Sequence, residues 1–136
     1  MTRRSFGFFL GVSFLAGALT ACSSTAPAPK TIRVNEENDQ GSVALRIGDT
    51  LEVELAGNPT TGYQWEVVAG EGEMLKTMGE AEFIQGTQAV GAGGTFRFQF
   101  EALSAGETNL KLEYKRSFEQ DVAPLKTFSI QVKIER

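Results

Sequence analysis

Paired carboxylates are the side chains of this sequence best suited to acid–base chemistry. Glu52 and Glu54 form one closely spaced pair, and Glu80 and Glu82 form another. Two carboxyl groups that flank a scissile bond are the catalytic arrangement of most glycoside hydrolases. Each pair, however, alternates with apolar residues as on a strand that is buried on one face, so these carboxylates are predicted to face solvent. The sequence therefore favours a charged outer surface over a hydrolytic site.

Nucleophilic and metal-dependent chemistry lacks its usual residues. The chain has no histidine and one cysteine, Cys22. Without histidine, Ser-His-Asp and Cys-His arrangements cannot form, and the common ligands of zinc are missing. The stretch GAGG at 91–94 is a weak phosphate signal, because no P-loop lysine follows and Thr95 opens a predicted strand. We therefore expect no enzyme activity, no metal and no cofactor.

The N-terminal residues predict export and lipidation. An apolar run from Phe6 to Leu19 follows two arginines, which is typical of a secretory signal and shorter than the roughly 20 residues of a membrane-spanning helix. Residues 19–22, LTAC, resemble the bacterial lipobox, whose cysteine is acylated and becomes the first residue of the mature chain. Residues 1–21 are thus a predicted lipoprotein signal peptide, and Cys22 is the predicted lipidation site and membrane contact.

Two features bear on the destination of this lipoprotein. Residues 2–6, TRRSF, resemble a twin-arginine export motif, but Gly7 stands where leucine is usual, so general secretion and twin-arginine export both stay open. Ser23, rather than aspartate, follows the cysteine, which resembles an outer-membrane sorting signal in a cell with two membranes. We expect an exported protein, lipid-anchored in the bacterial envelope and held in the outer membrane, facing the periplasm or the surface.

The composition after Cys22 limits the partners. All 17 acidic residues follow Cys22, whereas two of the 13 basic residues precede it, so the mature chain carries a net charge of −6. This charge argues against nucleic acid as a partner. Residues 23–30, SSTAPAPK, have the composition of a tether. Residues 22–30 are therefore predicted to join the lipid flexibly to one monomeric domain, 31–136, which contains no disulfide and depends on its core.

From residue 31 onward, apolar residues alternate with polar ones at the period of a β-strand. Turn-forming residues separate the alternating segments, which comprise residues 43–47, 51–55, 63–67, 96–100, 110–114 and 128–134. Residues 71–88 fit neither period and are predicted to form one irregular or bulged strand pair. The pattern predicts an all-β fold, an immunoglobulin-like β-sandwich of seven or eight strands, with an up-and-down barrel as the alternative.

Three loop sequences stand out by their order and spacing: NPTTGYQW at 58–65, GAGG at 91–94 and YKRSFE at 114–119. Together they resemble the chagasin family, inhibitors of papain-like cysteine peptidases. In that family an immunoglobulin-like sandwich presents three loops at one end, with an Asn-Pro-Thr-Thr-Gly-aromatic motif, a glycine-rich motif and an Arg-Pro-Trp motif. The resemblance covers residues 31–136. It implies a non-covalent inhibitor that wedges three loops into the active-site cleft of its target.

The resemblance assigns inhibitory roles to residues in all three loops. The first motif comprises Asn58, Pro59, Thr60, Thr61 and Gly62, the glycine-rich motif comprises Gly91, Ala92, Gly93 and Gly94, and the third motif comprises Arg116, Ser117 and Phe118. The first motif matches the family completely, whereas Ser117 and Phe118 stand where the family has proline and tryptophan. Serine is expected to leave its loop looser than proline would, and phenylalanine lacks the indole N–H.

The residues of the first motif predict a stiff loop. Pro59 fixes its own φ and pushes Asn58 towards extended geometry, while Gly62 permits a positive φ. A stiff loop loses less conformational entropy on binding, which suits occlusion better than chemistry. Tyr63 and Trp65, in the strand that leaves the loop, are predicted to pack in the core.

Less specific interpretations of the other two motifs stay open. The glycine-rich motif is either a surface for close backbone approach or a mobile hairpin tip. Arg116 and Phe118 either form a binding hot spot, or Phe118 packs on the sandwich while Arg116 pairs with Glu119 or Asp121. The departure at positions 117 and 118 motivates an alternative function, a non-inhibitory immunoglobulin-like binding module of the cell envelope.

Overall fold

The computed structural model of the protein describes Cys22 and residues 25–136. The predicted signal peptide, residues 1–21, and the sorting residue Ser23 lie outside the described residues. Within the described part, nine strands form two sheets that enclose one core, with two short 3-10 helices in the connections. The predicted all-β immunoglobulin-like sandwich is confirmed, with one strand more than expected. No helix in the described part of the chain is long and apolar enough to cross a membrane.

The strands follow the apolar alternation closely. Their bounds are β1 Thr31–Asn35, β2 Gly41–Arg46, β3 Thr50–Gly57, β4 Gln64–Ala69, β5 Leu75–Thr77, β6 Glu82–Gln85, β7 Gly94–Ala102, β8 Gly106–Lys115 and β9 Lys126–Glu135. The 3-10 helices span Glu36–Asn38 and Pro59–Thr61. The alternation does not predict β1, whose register comes from its parallel pairing with β3.

Each sheet combines antiparallel pairs with one parallel pair. The first sheet has the order β1-β3-β7-β5, with β6 also paired to β7, and the second has the order β2-β9-β8-β4. β1 runs parallel to β3, and β2 runs parallel to β9. The segment 71–88 holds β5 and β6, but the predicted pairing of one with the other is wrong. Each pairs with a different end of β7, which is long enough to accommodate both.

The core comes from alternate residues of the long strands. The buried residues of β3 and β7 form cross-strand pairs: Leu51 with Phe100, Val53 with Phe98, and Leu55 with Phe96. The second sheet supplies buried residues on β8 and β9: Leu110, Leu112, Phe128 and Ile130. Each such side chain stabilises the fold by about 1.5–3 kcal/mol relative to exposure. The predicted strand 43–47 ends one residue early, because β2 stops at Arg46, and Ile47 is exposed.

Glu52 is buried, so its predicted solvent-facing position is wrong. Its residue surface is only 3% exposed. Arg33 Nε donates to Glu52 Oε1 at 2.7 Å, and Gln99 Nε2 donates to Glu52 Oε2 at 2.9 Å. Arg97 Nε lies 3.6 Å from Glu52 Oε1 and its Nη2 lies 2.9 Å from Glu54 Oε1. These partners come from β1 and β7, the strands on either side of β3, and they cover the carboxylate on the outer face of the sheet.

This environment makes the stability of the fold depend on pH. Burial alone would raise the pKa of Glu52, but the hydrogen bonds from Gln99 and Arg33 and the charges of Arg33 and Arg97 outweigh it and lower the pKa. A carboxylate whose pKa is lowered in the folded state stabilises the fold above its unfolded pKa. That stabilisation disappears as the pH falls through the folded pKa.

We expect Glu52→Gln to lower the free energy of unfolding by about 1–3 kcal/mol at neutral pH, because two arginines lose a shared anionic partner. The difference from the wild type should shrink as the pH falls below about 4, where the wild-type carboxylate becomes protonated. Urea unfolding across this pH range measures both effects. Glu80→Gln is the control, since Glu80 is exposed as predicted, and it should change stability by less than about 0.5 kcal/mol. A difference for Glu52→Gln that stayed constant into acid would contradict the ion-pair explanation.

Candidate functional site

The sheet registers bring three connections to one end of the sandwich. They are loop 1 (58–63, between β3 and β4), loop 2 (86–93, between β6 and β7) and loop 3 (116–125, between β8 and β9). Gly57 at the end of β3 pairs with Gly94 at the start of β7, which places loops 1 and 2 side by side. Gln64 at the start of β4 pairs with Lys115 at the end of β8, which places loops 1 and 3 side by side. Loop 1 therefore lies between the other two.

Loop 1 is held by hydrogen bonds among its own residues. Asn58 is extended, with φ −141° and ψ 101°, and its Oδ1 accepts hydrogen bonds from Thr60 N at 3.1 Å and Thr60 Oγ1 at 2.6 Å. Thr61 Oγ1 donates to Asn58 O at 2.6 Å, and Gly62 closes the turn with φ 81°. These are the conformations expected beside Pro59 and at Gly62. Because both threonine hydroxyls donate within the loop, a partner would meet their methyl groups and oxygen lone pairs.

Two aromatic side chains join loop 1 to the core. Tyr114 is 4% exposed, and its hydroxyl accepts a hydrogen bond from Asn58 N at 2.8 Å. Trp65 is buried as predicted, its ring centroid lies 5.2 Å from that of Tyr114, and its Nε1 donates to Ala56 O at 3.0 Å. The motifs alone do not reveal the role of Tyr114. The available signal is a hydroxyl-bearing aromatic residue at the end of an otherwise aliphatic alternation in β8.

Loop 2 contacts loop 1 through its backbone. Asn58 Nδ2 donates to Gly91 O at 2.9 Å. Gly91 has φ 75°, a left-handed conformation that favours glycine. A Cβ atom on Gly93 would lie 3.2 Å from Gly57 O, so this part of loop 2 lies against the end of β3. Close backbone approach therefore occurs within the protein, between loops 2 and 1.

The two remaining residues of the glycine-rich motif have different roles: Gly94 is required by packing, and Ala92 belongs to an exposed turn. Gly94 has a structural explanation, because a Cβ atom there would clash with Ile84 O in the neighbouring strand β6. Ala92 N donates to Ala89 O at 3.1 Å, which closes a turn around the fully exposed Val90. Loop 2 thus presents an apolar tip on a hydrogen-bonded turn.

Arg116 fastens loop 3 to loop 1. Its Nε donates to Thr61 O at 3.0 Å, and its guanidinium carbon lies 4.4 Å from the centroid of the Tyr63 ring. Its Nη1 lies 3.0 Å from Glu119 Oε1, so the alternative pairing with Glu119 is confirmed. Tyr63 packs against the core but is only partly buried, because one part of it faces this arginine. The same guanidinium group therefore forms an ion pair with Glu119 and a hydrogen bond that supports loop 1.

The other two residues of the third motif have different surroundings. Phe118 is 74% exposed, so the alternative in which it packs on the sandwich is wrong. Its ring lies beside Gly62, where an added Cβ atom would be 3.3 Å from it. Ser117 Oγ donates a hydrogen bond to Glu66 of β4, and Lys115 Nζ lies 3.3 Å from Glu66 Oε2. Ser117 is thus tied to the second sheet, which offsets part of the looseness expected from the missing proline.

The three motifs form one continuous surface that offers contacts rather than reactive groups. Arg116 and Glu119 within this surface form an ion pair and neutralise each other. Among Cys22 and residues 25–136, no group of three or more histidine, cysteine, aspartate or glutamate side chains is placed to hold a metal ion. The arrangement is suited to fitting a partner of complementary shape.

Comparison with known proteins agrees with this arrangement. Residues 44–132 match the family model described as Chagasin family peptidase inhibitor. The chain is 30% identical over 105 residues to Amoebiasin-1 of Entamoeba histolytica, an alignment that spans 75% of this chain and 98% of that protein.

The fold is similar to that of two solved structures, one of which is a cysteine protease inhibitor. The crystal structure of the cysteine protease inhibitor EhICP2 from Entamoeba histolytica gives a TM-score of 0.68 at 23% identity, covering 81% of this chain and 100% of that one. PbICP-C, solved in complex with falcipain-2, gives a TM-score of 0.56 at 17% identity, covering 79% of this chain and 93% of that one. From the match over residues 44–132 and the identity to Amoebiasin-1, this chain belongs to the chagasin family of peptidase inhibitors.

Proposed function

We propose that this protein is a non-covalent inhibitor of papain-like cysteine peptidases, with its three loops inserted into the active-site cleft of the target. The main support for the proposal is that loop 1 is hydrogen-bonded to loop 2 on one side and to loop 3 on the other. Asn58 Nδ2 donates to Gly91 O at 2.9 Å, and Arg116 Nε donates to Thr61 O at 3.0 Å. Membership of the chagasin family and the fold shared with PbICP-C, solved with falcipain-2, support the target class.

The geometry suits occlusion of a cleft. Loop 1 is a tight turn whose ends continue into β3 and β4, so few further dihedral angles become ordered when it enters a partner. The exposed residues Thr60 and Thr61 at its tip are compact and carry no charge. Phe118 and Val90 add exposed apolar surface on either side. We infer a monomer that acts by filling the cleft, without enzymatic activity of its own.

Inhibition assays on papain and cathepsins test this function. The soluble chain, residues 22–136 with Cys22→Ser, should inhibit reversibly and in competition with the substrate. Intact-mass spectra should show neither a covalent adduct nor cleavage of the inhibitor. The absence of inhibition at about 100 μM would contradict the proposal, because it would mean a binding free energy smaller than about 5–6 kcal/mol.

We also propose that Cys22 anchors the inhibitor by a lipid in the bacterial envelope, after export, in the outer membrane. Cys22 is exposed, and residues 25–30 are exposed without regular secondary structure. β1 begins at Thr31, which pairs with Thr50 at the start of β3, whereas loop 1 follows Gly57 at the end of β3. The tether therefore enters the domain at the end opposite the three loops. An anchored domain would present its loops away from the membrane.

Expression of the full chain in a bacterium with two membranes tests the anchor. The protein should fractionate with outer membranes, and mass spectrometry of its N-terminal peptide should find an acylated Cys22. The Cys22→Ser variant should lack the lipid and leave the outer-membrane fraction. A wild-type chain recovered without lipid from the soluble fraction would contradict the anchor and leave the inhibitory function untouched.

The second candidate function is a non-inhibitory immunoglobulin-like binding module of the cell envelope. Ser117 and Phe118, which replace the family's proline and tryptophan, favour it. Against it, Phe118 keeps an exposed aromatic surface, and Ser117 is hydrogen-bonded to Glu66. An envelope partner whose binding survives Thr61→Lys would support the module over the inhibitor.

A further inference from the structure

A shallow groove of about 400 Å³ lies beside loop 1, on the side of loop 3. Its lining includes the ring of Tyr63, the exposed Leu125, the largely buried Tyr114 and two cationic side chains, Arg116 and Lys126. Thr61 of loop 1 also lines the groove. The groove therefore adjoins the tip of loop 1, so a partner seated on that tip also lies next to the groove.

The walls of the groove are ordered. Leu125 N donates to Tyr114 O at 2.8 Å. Leu125 directly precedes Lys126, the first residue of β9, so this bond continues the contact between β8 and β9 by one residue into loop 3. The rings of Tyr63 and Tyr114 are stacked, with centroids 5.3 Å apart. Leu125 is nevertheless 60% exposed. An exposed apolar side chain on a fixed backbone, next to aromatic rings, is a feature of interaction surfaces.

Exposed apolar side chains in the described residues concentrate at this end of the domain. Half of the large hydrophobic residues that are exposed belong to loops 2 and 3: Val90, Phe118, Val122 and Leu125. Leu125 of this group and Thr61 of loop 1 both line the groove, so the groove adjoins the surface assigned to the three loops and extends it towards Lys126 at the start of β9.

One cation of the groove is free to meet an acidic group. Arg116 is already paired with Glu119 at 3.0 Å. Lys126 is exposed, its Nζ lies 5.7 Å from the centroid of the Tyr114 ring, and the ion pairs among the described residues do not include it. The mature chain carries a net charge of −6, so an unpaired cation beside the loops departs from its overall charge.

We propose that this groove, which joins the sides of loops 1 and 3 to the start of β9, is a further contact region of the inhibitor, and that it receives an apolar side chain and a neighbouring carboxylate from the rim of the peptidase cleft. The apolar side chain lies against Tyr63 and Leu125, and the carboxylate pairs with Lys126. The inference rests on the proposed inhibitory function, because it is Thr61 at the tip of loop 1 that brings the peptidase to the groove.

Inhibition constants of surface variants test the groove on the peptidases that the wild type inhibits. Lys126→Glu should weaken inhibition at least about 10-fold, and Leu125→Ser about 5-fold. Lys126→Met should weaken it about 3-fold and remove most of the dependence of the inhibition constant on salt. Lys76→Glu is the matched control, since Lys76 is an exposed strand lysine that lies opposite Glu101 in the β5–β7 register, at the end of β7 away from the loops. Circular dichroism and melting temperatures check that each variant is folded.

The outcomes separate the groove from the inhibitory function. If Lys126→Glu and Leu125→Ser both inhibit within about 2-fold of the wild type, the groove is not a contact region. If Thr61→Lys loses inhibition in the same assays, the inhibitory function stands regardless of that result. A wild-type chain that inhibits no peptidase overturns both.

Discussion

Replacing Thr61 with lysine is expected to abolish inhibition of papain-like peptidases while leaving the domain folded. Thr61 is exposed at the tip of loop 1, and its hydroxyl donates to Asn58 O at 2.6 Å. Lysine keeps the backbone contact with Arg116 but places a long, solvated cation where the tip would enter a cleft. Burying that charge without a partner is unfavourable. We expect inhibition to weaken at least about 100-fold, which corresponds to about 2.8 kcal/mol of binding free energy.

Inhibition constants for papain, combined with urea unfolding of each variant, measure both parts of this expectation. Thr61→Ser is the control, because it keeps the hydroxyl, and it should inhibit within about 3-fold of the wild type. Gly62→Val is less informative. Gly62 has φ 81° and lies beside the Phe118 ring, so valine would strain the turn as well as the contact. Full inhibition by Thr61→Lys would exclude the tip of loop 1 from the interface and contradict the role assigned to it.

Removal of the Trp65 side chain should have the largest effect on stability. Trp65 is 5% exposed, its ring centroid lies 5.2 Å from that of Tyr114, and its Nε1 donates to Ala56 O. Trp65→Ala deletes this packing and this hydrogen bond, and it should lower the free energy of unfolding by about 3–5 kcal/mol. Because Tyr114 also holds Asn58 N, loop 1 should lose order together with the core.

Thermal and urea unfolding, followed by circular dichroism, measure the effect. Tryptophan fluorescence cannot serve as the probe, because Trp65 is the only tryptophan of the chain and the variant lacks it. Trp65→Phe keeps an aromatic ring and loses the N–H donor, and it should lose less stability than Trp65→Ala. Phe118→Ala is the surface control. Phe118 is 74% exposed, so its removal should change stability by less than about 0.5 kcal/mol while weakening inhibition. A loss below about 1 kcal/mol for Trp65→Ala would contradict its structural role.

The sandwich and the turn conformation of loop 1 were predictable because both follow from local properties. A period of two reports which face of a strand is buried, and most predicted strands occur where the alternation indicates. The φ preferences of Pro59 and Gly62 belong to single residues, so the turn between β3 and β4 could be predicted without its surroundings. The order of the three motifs indicated the family, and the match over residues 44–132 confirms it.

The contacts that assemble the site depend on strand register, which local patterns do not contain. Glu52 alternates like a surface residue, yet Arg33 and Gln99 from the flanking strands cover it. Asn58 bonds to Gly91, 33 positions away, because β3 and β7 end and begin side by side. Tyr114 and Arg116 reach loop 1 from 56 and 55 positions away through the pairing of β8 with β4. The sequence by itself therefore determines which residues the three motifs contain. Only the tertiary structure brings these motifs together into one surface, because the two sheets pack on a common core and their strand pairing places the three loops side by side.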